Sequence, residues 1–241
     1  MPENKLRIEI LYPEICNLFG DTGNIRYLER CLPDAEFIYT AFNDEPAFVQ
    51  GGADMIYMAS TTERTQEKII GKLMPYRQQL KDAIESDKVM LFTGNSMEIL
   101  FNYIENDDGS RIEGLGIFDF YAKRYMFNRY NSMILAKYKD IDIVGFRTQF
   151  TMTFGDNSDC YFAAVERGDG INKESKLEGI HVHNFFGTNI VGPLLVLNPY
   201  FTADLLKTLG IENPELAFSE EIYTAYKNRL AEFKDPGVKL H

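Results

Sequence analysis

VMLFTGNSMEIL, residues 89–100, has the pattern of a buried strand that turns sharply into a helix. Val89 to Phe92 form a short apolar run, Gly94 permits a tight turn, and apolar residues then recur at helical spacing. Many enzymes place a reactive side chain at the apex of such a strand–turn–helix elbow. The apex residue is a glycine, which has no side chain. The sequence therefore predicts the elbow without its nucleophile.

Strand-like and helix-like segments alternate in the first half of the chain. This alternation predicts a parallel sheet covered by helices on both faces, with ligands bound beyond the carboxyl ends of the strands. Asp21 or Thr22 is expected to cap the first helix, and Gly71 and Pro75 are expected to interrupt the second. The predicted strands are 5–12, 36–42, 53–59 and 88–92, and the predicted helices are 20–32, 63–86 and the segment after Gly94.

The pattern changes after residue 117 to short β-rich stretches. We expect these to be antiparallel or mixed strands that are added to the first sheet. A strand-and-turn pattern follows, and two helices close the chain near 199–209 and 219–234. No repeat or long linker interrupts the chain, so residues 1–241 are predicted to form a single α/β domain. The β-rich stretches are 117–126, 131–138, 142–154 and 160–168, and the strand-and-turn pattern covers 174–195.

Composition argues against several classes of protein. The formal net charge is −11 with no block of Lys and Arg, whereas a nucleic-acid-binding protein needs a basic face. No run of eighteen apolar residues predicts a membrane span, and the charged, signal-free N-terminal pattern makes the cytoplasm the expected location. Three widely spaced cysteines and three histidines predict free thiols and neither a metal site nor a cofactor.

Some polar residues near the elbow could carry chemistry. Ser96 or Thr93 could act as a hydroxyl nucleophile if a base lay in reach, but capping is the more ordinary role for Ser96. On a strand, His181 and His183 would face the same side, so either could be a base or a structural histidine. The acidic stretch NDDGSRIEGLG (106–116) lacks the spacing of a calcium loop and predicts a hairpin turn. STTERTQ (60–66) could bind an anion or simply cap a helix.

Several stretches resemble the motifs of one known family, and their order and spacing agree over nearly the whole chain. The chain resembles the CobB/CobQ-type class I glutamine amidotransferases, and most of all their GatD-type glutaminase subunits. This resemblance implies a flavodoxin-like α/β fold: a mostly parallel sheet flanked by helices, with an added β-rich second half. The motifs are NLFGDTGNI (17–25), IEGLGIFDFY (112–121), FNR (127–129), IVGF (143–146), EGIHVHNFFGT (178–188) and GPLLVLNP (192–199).

The resemblance also implies where the family's chemistry should lie. These enzymes hydrolyse glutamine with an elbow cysteine, a histidine that activates its thiol, and a glycine-rich loop that helps to form the oxyanion hole. Aligning the motifs puts Gly94 at the cysteine, Val191 at the histidine and ASTT (59–62) at the loop. No catalytic residue is therefore expected. The expected remnants of the substrate pocket are Ser60, Thr61, Asn95, Ser96, Glu98 and Arg129, of which Arg129 matches the family's glutamine-contacting arginine.

Loss of nucleophile and base together indicates a pseudo-glutaminase, since either loss alone would remove most of the rate. GatD-type subunits act with a Mur-ligase-like subunit, MurT, in amidating the peptidoglycan precursor lipid II. The resemblance thus implies a MurT-like partner that the chain binds or regulates. Two alternatives stay open: a rearranged hydrolase or amidotransferase that uses Ser96, Glu98, Arg129 or His183, and a non-catalytic sensor of glutamine or a similar small molecule.

Aromatic residues of the β-rich half could bind the partner. Tyr121, Tyr125, Phe127 and Tyr130 could form a docking face, or they could be core residues of strands. The sequence pattern fits the core role better, and both interpretations remain open at this point.

Overall fold

The computed structural model describes residues 5–239. Both ends of the predicted domain, residues 1–4 and 240–241 with His241, lie outside the described residues. The strands are β1 (Arg7–Leu11), β2 (Glu36–Thr40), β3 (Met55–Met58), β4 (Val89–Thr93), β5 (Tyr103–Glu105), β6 (Arg111–Glu113), β7 (Tyr121–Arg124), β8 (Tyr130–Tyr138), β9 (Ile141–Gln149), β10 (Thr151–Phe154), β11 (Ala163–Arg167), β12 (Leu177–Glu178), β13 (Ile180–Val182) and β14 (Phe185–Thr188). The α-helices are α1 (Thr22–Cys31), α2 (Glu63–Leu73), α3 (Arg77–Glu85), α4 (Leu194–Leu197), α5 (Pro199–Thr208) and α6 (Ser219–Lys234).

The main sheet has six strands in the order β13-β14-β4-β3-β1-β2. All neighbouring pairs are parallel except β13 and β14, which are antiparallel. Strands β3 and β4 are buried along their whole length, as expected for strands covered on both faces. The chain winds from β1 to β2 in one direction and from β1 through β3 to β4 in the other. Right-handed crossovers therefore place connections on opposite faces, and the predicted α/β fold is confirmed.

The β-rich half forms two separate four-stranded sheets, β10-β7-β5-β6 and β12-β11-β8-β9. The expectation that these strands extend the first sheet was wrong. The later β13–β14 hairpin occupies the edge of the main sheet next to β4: β14 pairs with β4, and β13 pairs with β14. Ile134 and Ile143 of the long β8–β9 hairpin pack into the same hydrophobic core as the main sheet. The sheet that contains β8 and β9 is thus joined to the main sheet by hydrophobic packing.

Helix boundaries agree with the sequence in part. The break in the second predicted helix lies at the 3-10 turn Met74–Tyr76, which contains Pro75, whereas Gly71 lies inside α2. The helix expected after Gly94 is a seven-residue 3-10 helix, Gly94–Leu100. Helix α1 begins at Thr22, and the side chain of Asp21 does not cap it. Helices α5 and α6 confirm the two predicted near the end of the chain.

The last part of the chain contacts the β-rich half through Asn198 and helix α6. Asn198 fastens the last part of the chain to the β-rich half, since its side-chain amide bonds to both backbone groups of Val144 at 2.8 and 2.9 Å. Helix α6 packs Tyr226 and Phe233 against Leu135 and Val144 of the β8–β9 hairpin.

Among the helices of residues 5–239, none combines the length and the apolar composition that a membrane-spanning helix needs.

Candidate functional site

A cavity of about 290 Å³ lies beyond the carboxyl ends of β1, β3, β4 and β14. This is the edge of the sheet, next to the reversal of strand order, where α/β proteins bind ligands. The segments that follow these four strands line one side, and the end of β9, the start of β10 and the β7–β8 connection line the other. The lining residues are Leu18, Phe19, Thr61, Thr62, Glu63, Gly94, Asn95, Arg129, Thr148, Gln149, Phe150, Thr151, Asn189 and Val191.

The apex of the elbow is packed against the loop after β3. Gly94 has a φ of +61°, a conformation that favours glycine. A Cβ atom built on Gly94 would fall onto the hydroxyl of Ser60 and lie 2.9 Å from the Ser60 Cβ. Ser60 is fully buried, and its hydroxyl donates to the carbonyl of Thr93 at 3.3 Å. Ser60 thus occupies the space that any side chain at position 94 would need.

Asn95 closes the same loop from the elbow side. Its side-chain oxygen accepts the N–H of Thr61 at 3.0 Å, and its Nδ2 donates to the carbonyl of Thr61 at 2.8 Å. An oxyanion hole needs backbone N–H groups that are aimed at the substrate. The N–H of Thr61 is instead bonded to Asn95, so this part of the loop is held in a structural contact.

Ser96 and Glu98 lie behind the cavity wall. The Ser96 hydroxyl is fully buried, 2.8 Å from the carbonyl of Thr93 and 3.0 Å from that of Met58. The Glu98 carboxylate accepts bonds from Gln66 at 2.9 Å and from the hydroxyl of Thr151. Burial raises the pKa of Glu98 above its usual value. Neither residue contacts a base or faces the cavity as a nucleophile would.

The position expected to hold the base carries Val191, whose backbone pairs with Phe146. The two nearby histidines lie elsewhere. Strand β13 ends at Val182, so His183 lies in a turn with a φ of +54° and does not share a strand face with His181, contrary to expectation. His183 contacts Asp87 at 3.1 Å, just before β4 and at the opposite end of that strand from the cavity. His181 stacks on Phe186, and burial lowers its pKa.

None of the three cysteines lines the cavity. All three cysteines are free, as predicted, and Cys16, near the loop after β3, is the buried one. Burial raises the pKa of Cys16 to about 12, so its thiol is protonated and unreactive at neutral pH. Cys31 and Cys160 are half-buried and outside the cavity wall.

Arg129 lies at the cavity mouth with its guanidinium carbon 4.7 Å from the centre of the Phe150 ring. The sequence reasoning covered Thr62 and Glu63 with the stretch 60–66, but it missed four other polar residues of the wall: Thr148, Gln149, Thr151 and Asn189. Asn189 is buried, and within residues 5–239 neither atom of its side-chain amide has a hydrogen-bond partner. Its position two residues before Val191, between the motifs 178–188 and 192–199, was the available signal.

The acidic stretch 106–116 is the predicted hairpin, formed by β5 and β6. Asp108 accepts from the backbone of Ser110, and Asp107 accepts from the backbone of Met126. Over the described range 5–239, no group of three His, Cys, Asp or Glu side chains is arranged to hold a metal ion.

The family model of the CobB/CobQ-like glutamine amidotransferase domain matches residues 7–197. The chain belongs to this family. The matched range contains every residue that lines the cavity, so the cavity lies within the glutamine amidotransferase domain.

Two relatives agree with this assignment, and a solved structure shares the fold. The chain is 28% identical over 210 residues to the GatD subunit of the glutamine-hydrolysing lipid II isoglutaminyl synthase of Streptococcus pneumoniae, covering 85% of this chain and 80% of that one. It is 28% identical to the Staphylococcus aureus GatD subunit of the same name, covering 79% of each chain. The fold is similar to the glutaminase domain of Trypanosoma brucei CTPS, solved with bound acivicin, with a TM-score of 0.56 and 10% identity over 88% of this chain and 96% of that one.

The contact between Gly94 and Ser60 predicts a coupled pair of substitutions. Gly94→Ala adds about 1–3 kcal/mol of overpacking to about 1–2 kcal/mol of backbone strain. Ser60→Gly in the same chain removes the overpacking, so a double-mutant cycle in urea should show about 1–3 kcal/mol of favourable coupling. Gly109→Ala is the control for strain alone, because its φ is +82° and nothing lies within 4 Å of the added Cβ. Additive effects would contradict the contact.

The raised pKa of Glu98 predicts that the difference in stability between Glu98→Gln and wild type depends on pH. A carboxyl group with a raised folded pKa stabilises the fold below its unfolded pKa of about 4.3, and this stabilisation is lost as pH rises. Glu98→Gln removes that loss, so its unfolding free energy relative to wild type should increase above about pH 4.5, by at most about 1.4 kcal/mol per pH unit. Urea unfolding from pH 4.5 to 7 measures it. Exposed Glu221→Gln should show no such trend, and a constant offset for Glu98→Gln would refute the assignment.

Proposed function

We propose that this chain is a GatD-like glutamine amidotransferase subunit that has lost glutaminase activity and binds or regulates a MurT-like ligase subunit. The packing of Ser60 against Gly94 carries the proposal. The resemblance assigns Gly94 to the nucleophile, and the space for any nucleophile at that position is already filled. Val191, at the position assigned to the base, has no group that could accept a proton.

The contacts of the other candidate residues support loss of activity over a rearranged active site. A nucleophile needs a base within hydrogen-bond reach and donors for the developing oxyanion. Ser96 bonds to backbone carbonyls, Glu98 bonds to Gln66 and Thr151, and His183 lies at the far end of β4. Asn95 holds the Thr61 N–H that could otherwise serve as a donor. These contacts keep the shape of the site while occupying its reactive groups.

The names of the relatives support a role as a subunit. Both are GatD subunits of a lipid II isoglutaminyl synthase, and the chain covers about four-fifths of each. The proposed partner is therefore a Mur-ligase-like protein of the same organism, and the proposed process is amidation in peptidoglycan synthesis. The proposal includes a cytoplasmic location and a single amidotransferase-like domain over residues 1–241.

Glutamate release from glutamine tests the loss of activity. The purified chain should release none, either alone or with the ligase subunit. The variant Ser60→Gly/Gly94→Cys/Val191→His makes room for a thiol and restores a base, so a glutamine-like chloroketone should alkylate the thiol introduced at position 94. Ser60→Gly/Val191→His, which lacks that thiol, is the matched control. Turnover by the wild-type chain that persists through repurification and is abolished by Arg129→Ala would refute the proposal.

A second function, retention of a small-molecule ligand, is favoured by the charges of the cavity. Arg129 and Glu63 are the charged residues of its described lining, one cationic and one anionic. A zwitterionic amino acid offers a carboxylate to the first and an ammonium group to the second. Asn189 adds a buried amide without a partner in residues 5–239, a group that a polar ligand side chain would satisfy. This pattern suits a sensor that binds glutamine or a similar molecule without turnover.

Thermal unfolding in the presence of ligand tests retention. A ligand that binds the folded state at ten times its Kd stabilises it by about 1.4 kcal/mol, so glutamine should raise the Tm. Glutaramic acid, which lacks the ammonium group, should give a smaller shift. Arg129→Ala should abolish the effect of glutamine, whereas exposed Arg229→Ala should not. Equal, small shifts with all compounds and variants would mean that the cavity holds no amino acid.

A further inference from the structure

Phe127 projects almost entirely into solvent, with 95% of its surface exposed, and its neighbour Met126 is 42% exposed. The turn that carries them is held by hydrogen bonds. The N–H of Tyr125 donates to Phe150 at 2.6 Å, and that of Met126 donates to the Asp107 carboxylate at 2.9 Å. The exposure is therefore a property of a fixed turn, and a large apolar residue presented in this way suits contact with another molecule.

A groove of about 430 Å³ runs beside this turn. Phe19, Met133 and Phe146 provide apolar wall, and Met133 is 47% exposed. The groove shares Phe19 and Arg129 with the cavity described above, so the two are continuous at the cavity mouth. The groove thus offers apolar side chains close to the turn, which precedes Arg129 in the chain.

The charges bordering the groove oppose the charge of the whole chain. Arg129 and Lys239 line the groove. Lys173 is placed near it through Tyr130, the residue between the lining residues Arg129 and Asn131: the Lys173 ammonium lies 4.7 Å from the centre of the Tyr130 ring. In the described residues 5–239, none of these three cations has a carboxylate within 4 Å. The chain as a whole carries a formal charge of −11. A partner with carboxylates beside apolar side chains would complement this region.

We propose that Met126, Phe127, Met133 and the adjoining groove form the docking surface, here the Phe127 surface, for an acidic and apolar segment of the ligase subunit. This inference rests on the proposed function and adds the place and chemistry of the contact. Phe127 is the apolar anchor. The three cations orient the segment and bring one of its carboxylates to Arg129, at the mouth of the cavity.

Binding of the purified Mur-ligase-like subunit, measured by biolayer interferometry, tests the surface. Phe127→Ser should raise the Kd at least tenfold, as truncation of an anchor does. Phe218→Ser is the matched control, because Phe218 is 61% exposed at the start of α6. Lys173→Glu/Lys239→Glu should slow association and weaken its dependence on salt, whereas Lys227→Glu on α6 should do neither.

The outcomes separate this inference from the proposed function. Tight binding by wild type that Phe127→Ser and the double lysine variant leave unchanged overturns the Phe127 surface and leaves the subunit role intact. Absence of binding by wild type overturns both. A chain that is dimeric by light scattering when alone, and monomeric as Phe127→Ser, assigns the surface to a second copy and also overturns the inference. Loss of binding confined to the Phe127-surface variants supports it.

Discussion

The buried carboxylate of Asp21 connects the segments on which the site depends. It accepts the N–H of Ser60 at 3.0 Å and the Nδ2 of Asn24 at 3.2 Å. Asn24 in turn donates to the Tyr57 hydroxyl at 3.0 Å and accepts the N–H of Leu195 at 2.8 Å. Burial raises the pKa of Asp21, and its hydrogen bonds oppose that rise. One polar cluster thus joins the start of α1, the loop after β3 and the start of α4, and it sets the position of Ser60.

The position of Ser60 explains how the fold can keep an elbow that has no reactive group. Gly94 adopts a positive φ at little cost, so the sharp turn survives without the residue that chemistry requires. Ser60 then fills the space above the turn, and Asn95 bonds both backbone groups of Thr61. Buried polar groups are costly to leave unpaired, so these contacts stabilise the loop with the Thr61 N–H bonded to Asn95.

The cations near the cavity contrast with the net negative charge of the whole chain. Although the chain is acidic, cations lie at the cavity mouth and along the neighbouring groove, whereas acids such as Glu98 and Glu178 are buried and accept hydrogen bonds. A cation at the mouth of a cavity attracts an anionic group of a ligand or partner at short range, where salt screens least. The mouth of the cavity, where Arg129 lies, is therefore suited to recognition of a carboxylate.

Local pattern alone predicted the α/β class, the strands of the parallel sheet, the break at Pro75 and the last two helices, because periodicity and backbone restriction are properties of neighbouring residues. The family motifs likewise led to the cavity lined by Gly94, Thr61, Asn95 and Arg129. Tertiary structure alone decided what pairs across the chain. The β-rich strands form their own sheets, and His183 lies beside Asp87, at the opposite end of β4 from the cavity. The Ser60–Thr93 and Thr61–Asn95 hydrogen bonds join residues 33 and 34 positions apart. Such contacts leave no local periodicity, so only the folded chain reveals them.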